Sequence, residues 1–445
     1  MTSGMNSNEC NLQSCIADVL AFAKKQGATQ AEADVSIEDG YHVNIREGAV
    51  DTIEYHCNEN LSLTVYRGQR KGSVTTSAMD WVSLQEAVTR ACQIAEFTQV
   101  DPCAGLADEN LMATDLKDLD LYHEWNLNTK EAVTLALECE AKAKQLDGRI
   151  KSSEGVSVSN FKSFDVYGNT HGFMGSNKDT CQSISCSLIA EQNGRMERDY
   201  YYTCSRDPLD LENIDTVAQQ TVFRTVRRLN PQKIKTQKCP VIFEADVASS
   251  LISHFFAAIS GGNLYRKRSF LLDCLDQSIF PEYINIFERP HQLKGWGSAM
   301  FDGDGVATTN KNFVKEGVLT SYMLDAYSAR QLKRQTTGNA GGAYNVYVST
   351  SDKDLSQLLR DMGNGLLVTE LIGQGLNLIT GDYSRGVFGF WVENGEIQYP
   401  VSEVTIAGNL RDMFRHVVSV GNDIDRRGNI QTGSILLEEM MLAGI

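Results

Sequence analysis

At 445 residues the chain is too long for one ordinary hydrophobic core, so two domains are expected. Its 42% hydrophobic and 22% charged residues fit a soluble globular protein, and seven prolines argue against long Pro-rich linkers. A net charge of −16 repels phosphates and disfavours direct nucleic-acid binding. The best basic cluster, Arg224, Arg227, Arg228, Lys233, Lys235 and Lys238, sits at an expected helix end, where cations complement the dipole.

No targeting segment is read. Met1 to Asn11 is polar, without a basic start or an apolar run, and no stretch nears the roughly 20 apolar residues of a membrane span. The eleven cysteines form no CxxC pair; the closest are Cys10 with Cys15 and Cys181 with Cys186. In such a chain they read as free, mostly buried thiols of a reducing cytoplasm.

In chain order, Leu12, Ile16, Val19, Leu20 and Ala23 predict a helix over 11–26, stopped by Gly27. Residues 32–77 alternate in short runs punctuated by Asp39-Gly40, Glu47-Gly48, Arg67-Gly68 and Lys71-Gly72, predicting four or five antiparallel strands. Helical spacing returns from Trp81 to Phe97. Asn128, with Glu131 three residues on, opens a helix to about Leu146. Strand-like runs follow from Ile150 to Cys204, so helix-then-meander occurs twice and suggests an internal duplication. A helix over 211–229 ends at Asn230-Pro231, and the domain boundary is placed in 230–238. The fold class expected is α+β. An N-terminal domain, 1–235, combines helices and antiparallel sheet. A C-terminal domain, 236–445, is strand-rich and largely antiparallel, with two helices over 245–260 and 352–362. Its clearest hairpin joins Val387–Val392 to Glu396–Val401 through Asn394-Gly395.

Local motifs for chemistry are weak. There is no GxSxG, and none of the seven histidines lies beside a recognisable nucleophile. His123-Glu124 opens like HExxH, but Leu127 and Asn128 stand where a second histidine would be needed, which leaves a surface dipeptide. Gly373-Gln-Gly375 lacks the third glycine of a dinucleotide loop and reads as a tight turn. Asp302-Gly-Asp304-Gly starts like a calcium loop without its later ligands and reads as a turn. Glu370 with Asp382, and Glu393 with Glu403, are candidate carboxylate pairs that could divide acid and base roles. Over 245–260, Val247, Leu251, Phe255 and Ile259 form an apolar stripe, with Ser250, Ser253 and His254 on the remaining face.

The runs Val368–Gly375, Thr380–Gly386, Phe390–Gly395 and Thr405–Met413 resemble the TldD/PmbA family, also called modulator of DNA gyrase, on its PmbA (TldE) branch. Leu324–Arg330, Thr337–Ala340, Ser260–Gly262, Tyr265–Lys267, Arg46–Gly48 and Gly72-Ser73 fit the same family. The resemblance implies a cytoplasmic zinc-dependent peptidase of two related subunits. These act on unfolded peptide, including an antitoxin and a microcin precursor. The TldD-type subunit carries HExxxH on a helix and a cysteine near its C-terminus. Laid on 245–260, Ser253 and Ala258 take the places of the histidines and His254 that of the glutamate; no cysteine follows Cys274. Neither serine nor alanine is a good zinc ligand. The resemblance therefore implies no catalytic or metal residue and no cofactor in this chain, with zinc in a TldD-type partner. The expected role is a non-metal-binding subunit that shapes the peptide chamber and stabilises its partner. The alternatives are a peptide-binding or chaperone-like homodimer without proteolysis, and an independent carboxylate-based hydrolase.

Overall fold

The computed structural model describes residues 3–444; Met1, Thr2 and Ile445 of the sequence-based readings lie outside it. In the first half, helix α1 (Ser3–Lys25) is followed by strands β1 (Gln30–Arg46), β2 (Ala49–Arg67) and β3 (Arg70–Thr76) and helix α2 (Trp81–Phe97). The same order recurs as α3 (Thr129–Leu146), β4 (Ile150–Asn169), β5 (Met174–Gln192), β6 (Arg195–Ser205) and α4 (Ile214–Arg227). The six strands form one antiparallel sheet, ordered β3-β2-β1-β4-β5-β6, in which β1 and β4 pair at the centre. Two α-βββ-α units thus meet across that central pair, as the repeated pattern in the sequence suggests.

The helices cover one face of this sheet. Ile16, Val19 and Ala23 of α1, with Leu84, Val88 and Ala91 of α2, bury Ala33, Val35, Leu63 and Val65. Ala132, Ala136 and Cys139 of α3, with Val217 and Val222 of α4, bury Val43, Ile45, Val158 and Leu188. Asn128 caps α3 through a full capping box with Glu131.

Residues 32–77 hold three strands rather than the four or five expected. Glu47-Gly48 and Gly68 do turn, with φ of 52°, 76° and 61°. Gly40, however, lies inside β1, where an added Cβ would come within 2.3 Å of the Asn160 carbonyl on β4. Gly72 lies inside β3, where a Cβ would come within 2.1 Å of the Ala91 carbonyl on α2. Both glycines serve close approach, not chain reversal. Buried Glu140 of α3 accepts the Glu47 and Gly48 amides at 2.9 and 2.6 Å, which fixes the β1–β2 turn.

The second half begins with β7 (Gln237–Phe243) and α5 (Ala245–Ile259), then α6 (Gly261–Tyr265), β8 (Ile286–Glu288), β9 (Lys311–Lys315) and β10 (Val318–Leu319). Next come α7 (Ala326–Gln331), β11 (Val346–Val348), α8 (Leu355–Met362), β12 (Gly365–Ile372), β13 (Asp382–Glu393), β14 (Glu396–Asn409) and α9 (Leu410–Arg415). Strands β15 (Val417–Val420), β16 (Ile430–Gln431) and β17 (Ile435–Ala443) complete it. One sheet runs β10-β9-β8-β11-β16; the other runs β14-β13-β12-β7-β17-β15 and closes on itself where β14 also pairs with β17. Only β7–β12 and β11–β16 are parallel. The Asn394-Gly395 hairpin forms as expected, with φ of 52° and 77°. The two expected helices are α5 and α8; α6, α7 and α9 are short additions of five or six residues.

Alternation along β7 sorts its neighbours. Val241 and Phe243 face α5, whereas Ile242 faces Leu358, Leu359 and Met362 of α8. Helix α5 is enclosed between the two sheets, because Leu251, Phe255 and Ile259 of its apolar stripe and the flanking Ala248, Ile252 and Phe256 are all buried, and Val247 is partly so. The halves are tied by Arg330, which donates to the carbonyls of Cys103, Gly105 and Leu106, and by Arg206, which donates to those of Gly295 and Trp296. Among the described residues no helix is long and apolar enough to cross a membrane. The ten described cysteines with assigned side chains are free thiols.

Candidate functional site at helix α5

Burial of the apolar stripe decides where each polar residue of α5 points. Asp246, Val247 and Ser250 line a cavity of about 350 Å³ between the two halves. One turn further on, His254 leans on the Tyr383 ring, centroids 5.9 Å apart. Ser253 is exposed and Ala258 is fully buried. The imidazole of His254 is the only good metal donor of the three. Burial, then the nearby Arg385 guanidinium, push its pKa down, and that guanidinium would repel a dication as well. These residues do not fit a zinc ion. Among the described residues no group of three or more His, Cys, Asp or Glu side chains is arranged to hold a metal.

The cavity wall is an ion-pair network. Arg224 meets Asp246 at 2.9 Å and Asp199 at 3.6 Å; Arg228 meets Glu370 at 2.5 Å and Asp199 at 3.4 Å. Arg228 also stacks over the Phe388 ring, 3.7 Å from its centroid. Arg427 is gripped by both oxygens of Asp425, and Arg198 by Glu154 at 2.9 Å. Five of the six residues of the supposed basic cluster are thus paired with carboxylates of other elements: besides Arg224 and Arg228, Arg227 pairs with Glu244, Lys233 with Glu403 and Lys238 with Glu439.

The candidate carboxylate pairs are not brought together. Glu370 lies opposite Phe388, six residues along β13 from Asp382, and Asp382 binds Thr380 and Asn409. Glu393 ends its strand at the hairpin, while Glu403 holds Lys233. Gly375 sits in a turn so tight that a Cβ would reach within 1.4 Å of the Ser384 carbonyl. Asp302 closes an ordinary turn, accepting the amides of Asp304, Val306 and Ala340 at 2.9 Å. His123 is half-buried, not a free surface residue, and bonds the Asp120 carbonyl at 3.0 Å with Asp207 3.5 Å away.

A larger cavity, about 840 Å³, lies between the uncovered face of the six-stranded sheet and residues 299–304 and 340–344. Glu32, Asp34, Asp165, Asp302 and Asp304 line it, together with Lys117 and Lys178. Burial raises all five carboxyls, that of Asp34 to about 6 with help from Asp165, and that of Asp302 to about 7 with help from Asp304. A raised carboxyl holds its proton in the folded chain after the unfolded chain has lost it. Their contribution to stability should therefore fall as pH rises from about 4 to about 7 and level off above that. Asp34→Asn, which keeps the shape and removes the charge, should gain about 1–2 kcal/mol at pH 8 and nothing near pH 4. Urea denaturation at the two pH values measures this, and an equal effect at both would refute it.

The sequence carried no periodic signal for either cavity, since their residues come from strands and loops far apart in the chain. The short family-like runs prove to be packing devices. Asn339 donates to Glu288 at 3.0 Å, Tyr327 to Asp101 at 2.7 Å, and a Cβ on Gly261 would come within 2.1 Å of the Ser328 hydroxyl of α7.

Comparison with known proteins agrees with these motifs. Residues 31–95, 122–229 and 236–444 match, in turn, the PmbA/TldA metallopeptidase domain 1, central domain and C-terminal domain. The chain belongs to the PmbA/TldD metallopeptidase family. It is 47% identical over 425 residues to Metalloprotease PmbA of Escherichia coli O157:H7, covering 96% of this chain and 94% of that one. It is 45% identical over 444 residues to a Metalloprotease PmbA homolog of Haemophilus influenzae, covering 100% and 98%. Among solved structures, a candidate modulator of DNA gyrase from Bacteroides thetaiotaomicron superposes with a TM-score of 0.92 at 27% identity, over 97% of this chain and 98% of that one. TldE from Thermococcus kodakarensis shares the fold, with a TM-score of 0.84 at 17% identity, over 97% and 100%.

Proposed function

We propose that this chain is the non-metal-binding, PmbA/TldE-type subunit of a two-subunit cytoplasmic zinc peptidase, with the metal held by a TldD-type partner. The observation that carries the reading is α5 itself. The helix and its enclosing sheets are built as in a metallopeptidase family, yet of Ser253, His254 and Ala258 only His254 is a good metal donor, and it stands beside the Arg385 guanidinium. The fold is then kept for docking and for walling a shared chamber. We place the division between its two parts, 1–235 and 236–445, in the segment joining α4 to β7.

Unfolded peptides of the antitoxin and microcin-precursor type are the proposed substrates. An extended backbone can be held by an open strand edge with little regard to side chains. Strand β2 offers one: β3 pairs only with Leu61–Arg67, and no other described strand covers the outer side of Ala49–Asn60. The same edge would serve a chaperone-like homodimer without proteolysis. Mixing separates the two. Peptide cleavage should need both purified subunits and vanish with chelator, and this chain alone should carry no stoichiometric zinc. Chelator-insensitive cleavage by this chain alone, or full activity of the partner without it, would refute the proposal.

A further inference from the structure

Buried polar atoms without a protein hydrogen-bond partner gather in one place. Among the described residues, Arg224 Nε, Arg228 Nε, Asp246 Oδ1 and Arg385 Nε belong to the walls of the 350 Å³ cavity beside α5. His254 Nε2 and Tyr383 Oη, next to Arg385, are in the same condition. A buried group left unpaired costs about 1–3 kcal/mol, so a cluster of them marks a place built to receive something polar.

Charge shows which end receives it. Arg224 and Arg228 share Asp199, Asp246 and Glu370, while Arg198 and Arg427 have Glu154 and Asp425. These four guanidiniums are met. Arg385 has no carboxylate within ion-pair distance among the described residues, and its charge is felt by the nearby Tyr383 and His254. The unmatched cation of this wall therefore stands on β13. A guanidinium there presents a planar fork that suits a carboxylate, and the buried Tyr383 hydroxyl can donate beside it. The cavity is large enough for one peptide end or side chain.

We propose that this pocket binds a carboxylate of a peptide, with Arg385 as its principal partner and Tyr383 as a supporting donor. The carboxylate comes either from the peptide's C-terminus or from an Asp or Glu side chain. The assignment rests on the reading that this chain contacts peptide, and gives that contact a polarity: an acidic group anchored beside α5, with the rest of the chain leading out along the cavity.

The test is binding of fluorescent peptides to the full purified chain. The probes are one apolar peptide with a free C-terminus, the same peptide as its amide, and an amide carrying one internal Asp. The acid should bind at least about tenfold more tightly than the plain amide, as loss of a charged hydrogen bond predicts. Arg385→Gln should remove that difference, Arg385→Lys should restore part of it, and Tyr383→Phe should weaken it. The exposed Arg90→Gln should leave it intact. Recovery of affinity by the internal Asp assigns the source to a side chain, and failure to recover assigns it to the C-terminus. If Arg385→Gln does not fold, as judged by its thermal melt, Arg385→Lys and Tyr383→Phe read the same contact. Equal binding of the acid, the plain amide and the Asp-bearing amide would overturn the pocket while leaving peptide contact standing. Unchanged preference for the acid in Arg385→Gln would overturn it, as would stronger binding of inorganic phosphate than of the acid. Absence of any peptide binding, with cleavage by mixed subunits intact, would also overturn the pocket but not the proposed function.

Discussion

Lys311→Met is expected to destabilise the folded chain by about 3–5 kcal/mol, the largest loss that any single charge removal should cause here. Glu288 is fully buried, and Lys311 lies 2.8 Å from it. Burial pulls the Glu288 carboxyl upward, and Lys311 is the strongest influence holding it down. With Lys311 gone, a buried carboxylate would stand uncompensated. The same lysine donates to the Thr337 carbonyl at 2.5 Å and to Asn339 at 3.0 Å, so the loss spreads to the Thr337–Ala340 turn. Because protonation relieves the stranded charge, the penalty should shrink toward pH 5. The double variant Glu288→Gln with Lys311→Met should lose less than the single one at pH 7. Denaturant unfolding of the three proteins at pH 7 and pH 5 measures both points. A loss below about 1 kcal/mol at pH 7 would mean the pair is solvated and the argument wrong.

Phe255→Ala should cost a comparable amount, about 3–5 kcal/mol, for a different reason. Phe255 is fully buried at the centre of α5, with ring centroids of Phe256, Phe280 and Phe414 at 5.2, 5.6 and 6.2 Å. Truncation leaves a cavity between two sheets that are each hydrogen-bonded into place and cannot collapse onto it. Phe255→Leu, which keeps most of the volume, should lose about half as much or less. The functional consequence follows from the helix. Asp246 and Ser250 are carried by α5, so peptide binding at the cavity should weaken in Phe255→Ala although no residue of the cavity is changed. Full stability in Phe255→Ala would show that α5 is not the packing centre described above.

Much of the fold was legible in the chain. Apolar spacing, the Asn128–Glu131 box and the Gly27 stop belong to single helices, and each acts within a turn or two. The Asn394-Gly395 hairpin is likewise local, since only residues that tolerate positive φ make that turn. The family runs located the chain correctly because they occupy positions of close approach, to the Ser328 side chain at Gly261 and to the Ser384 backbone at Gly375. Where tertiary structure decided, the deciding contact came from elsewhere in the chain. Asp39-Gly40 has the composition of a turn, but the Asn160 carbonyl and Phe161 of β4 leave room only for glycine, so the strand runs straight through. Arg224, Arg227 and Arg228 are cationic as sequence and ion-paired as structure, because Asp199, Asp246, Glu244 and Glu370 arrive from other elements. Ion pairing depends on distances between segments, and those exist only after the two halves dock. Both cavities are of this kind. Helical periodicity placed His254 on a polar face of α5, but only the closing of the sheets around that helix put Arg385 beside it and left that guanidinium without a carboxylate.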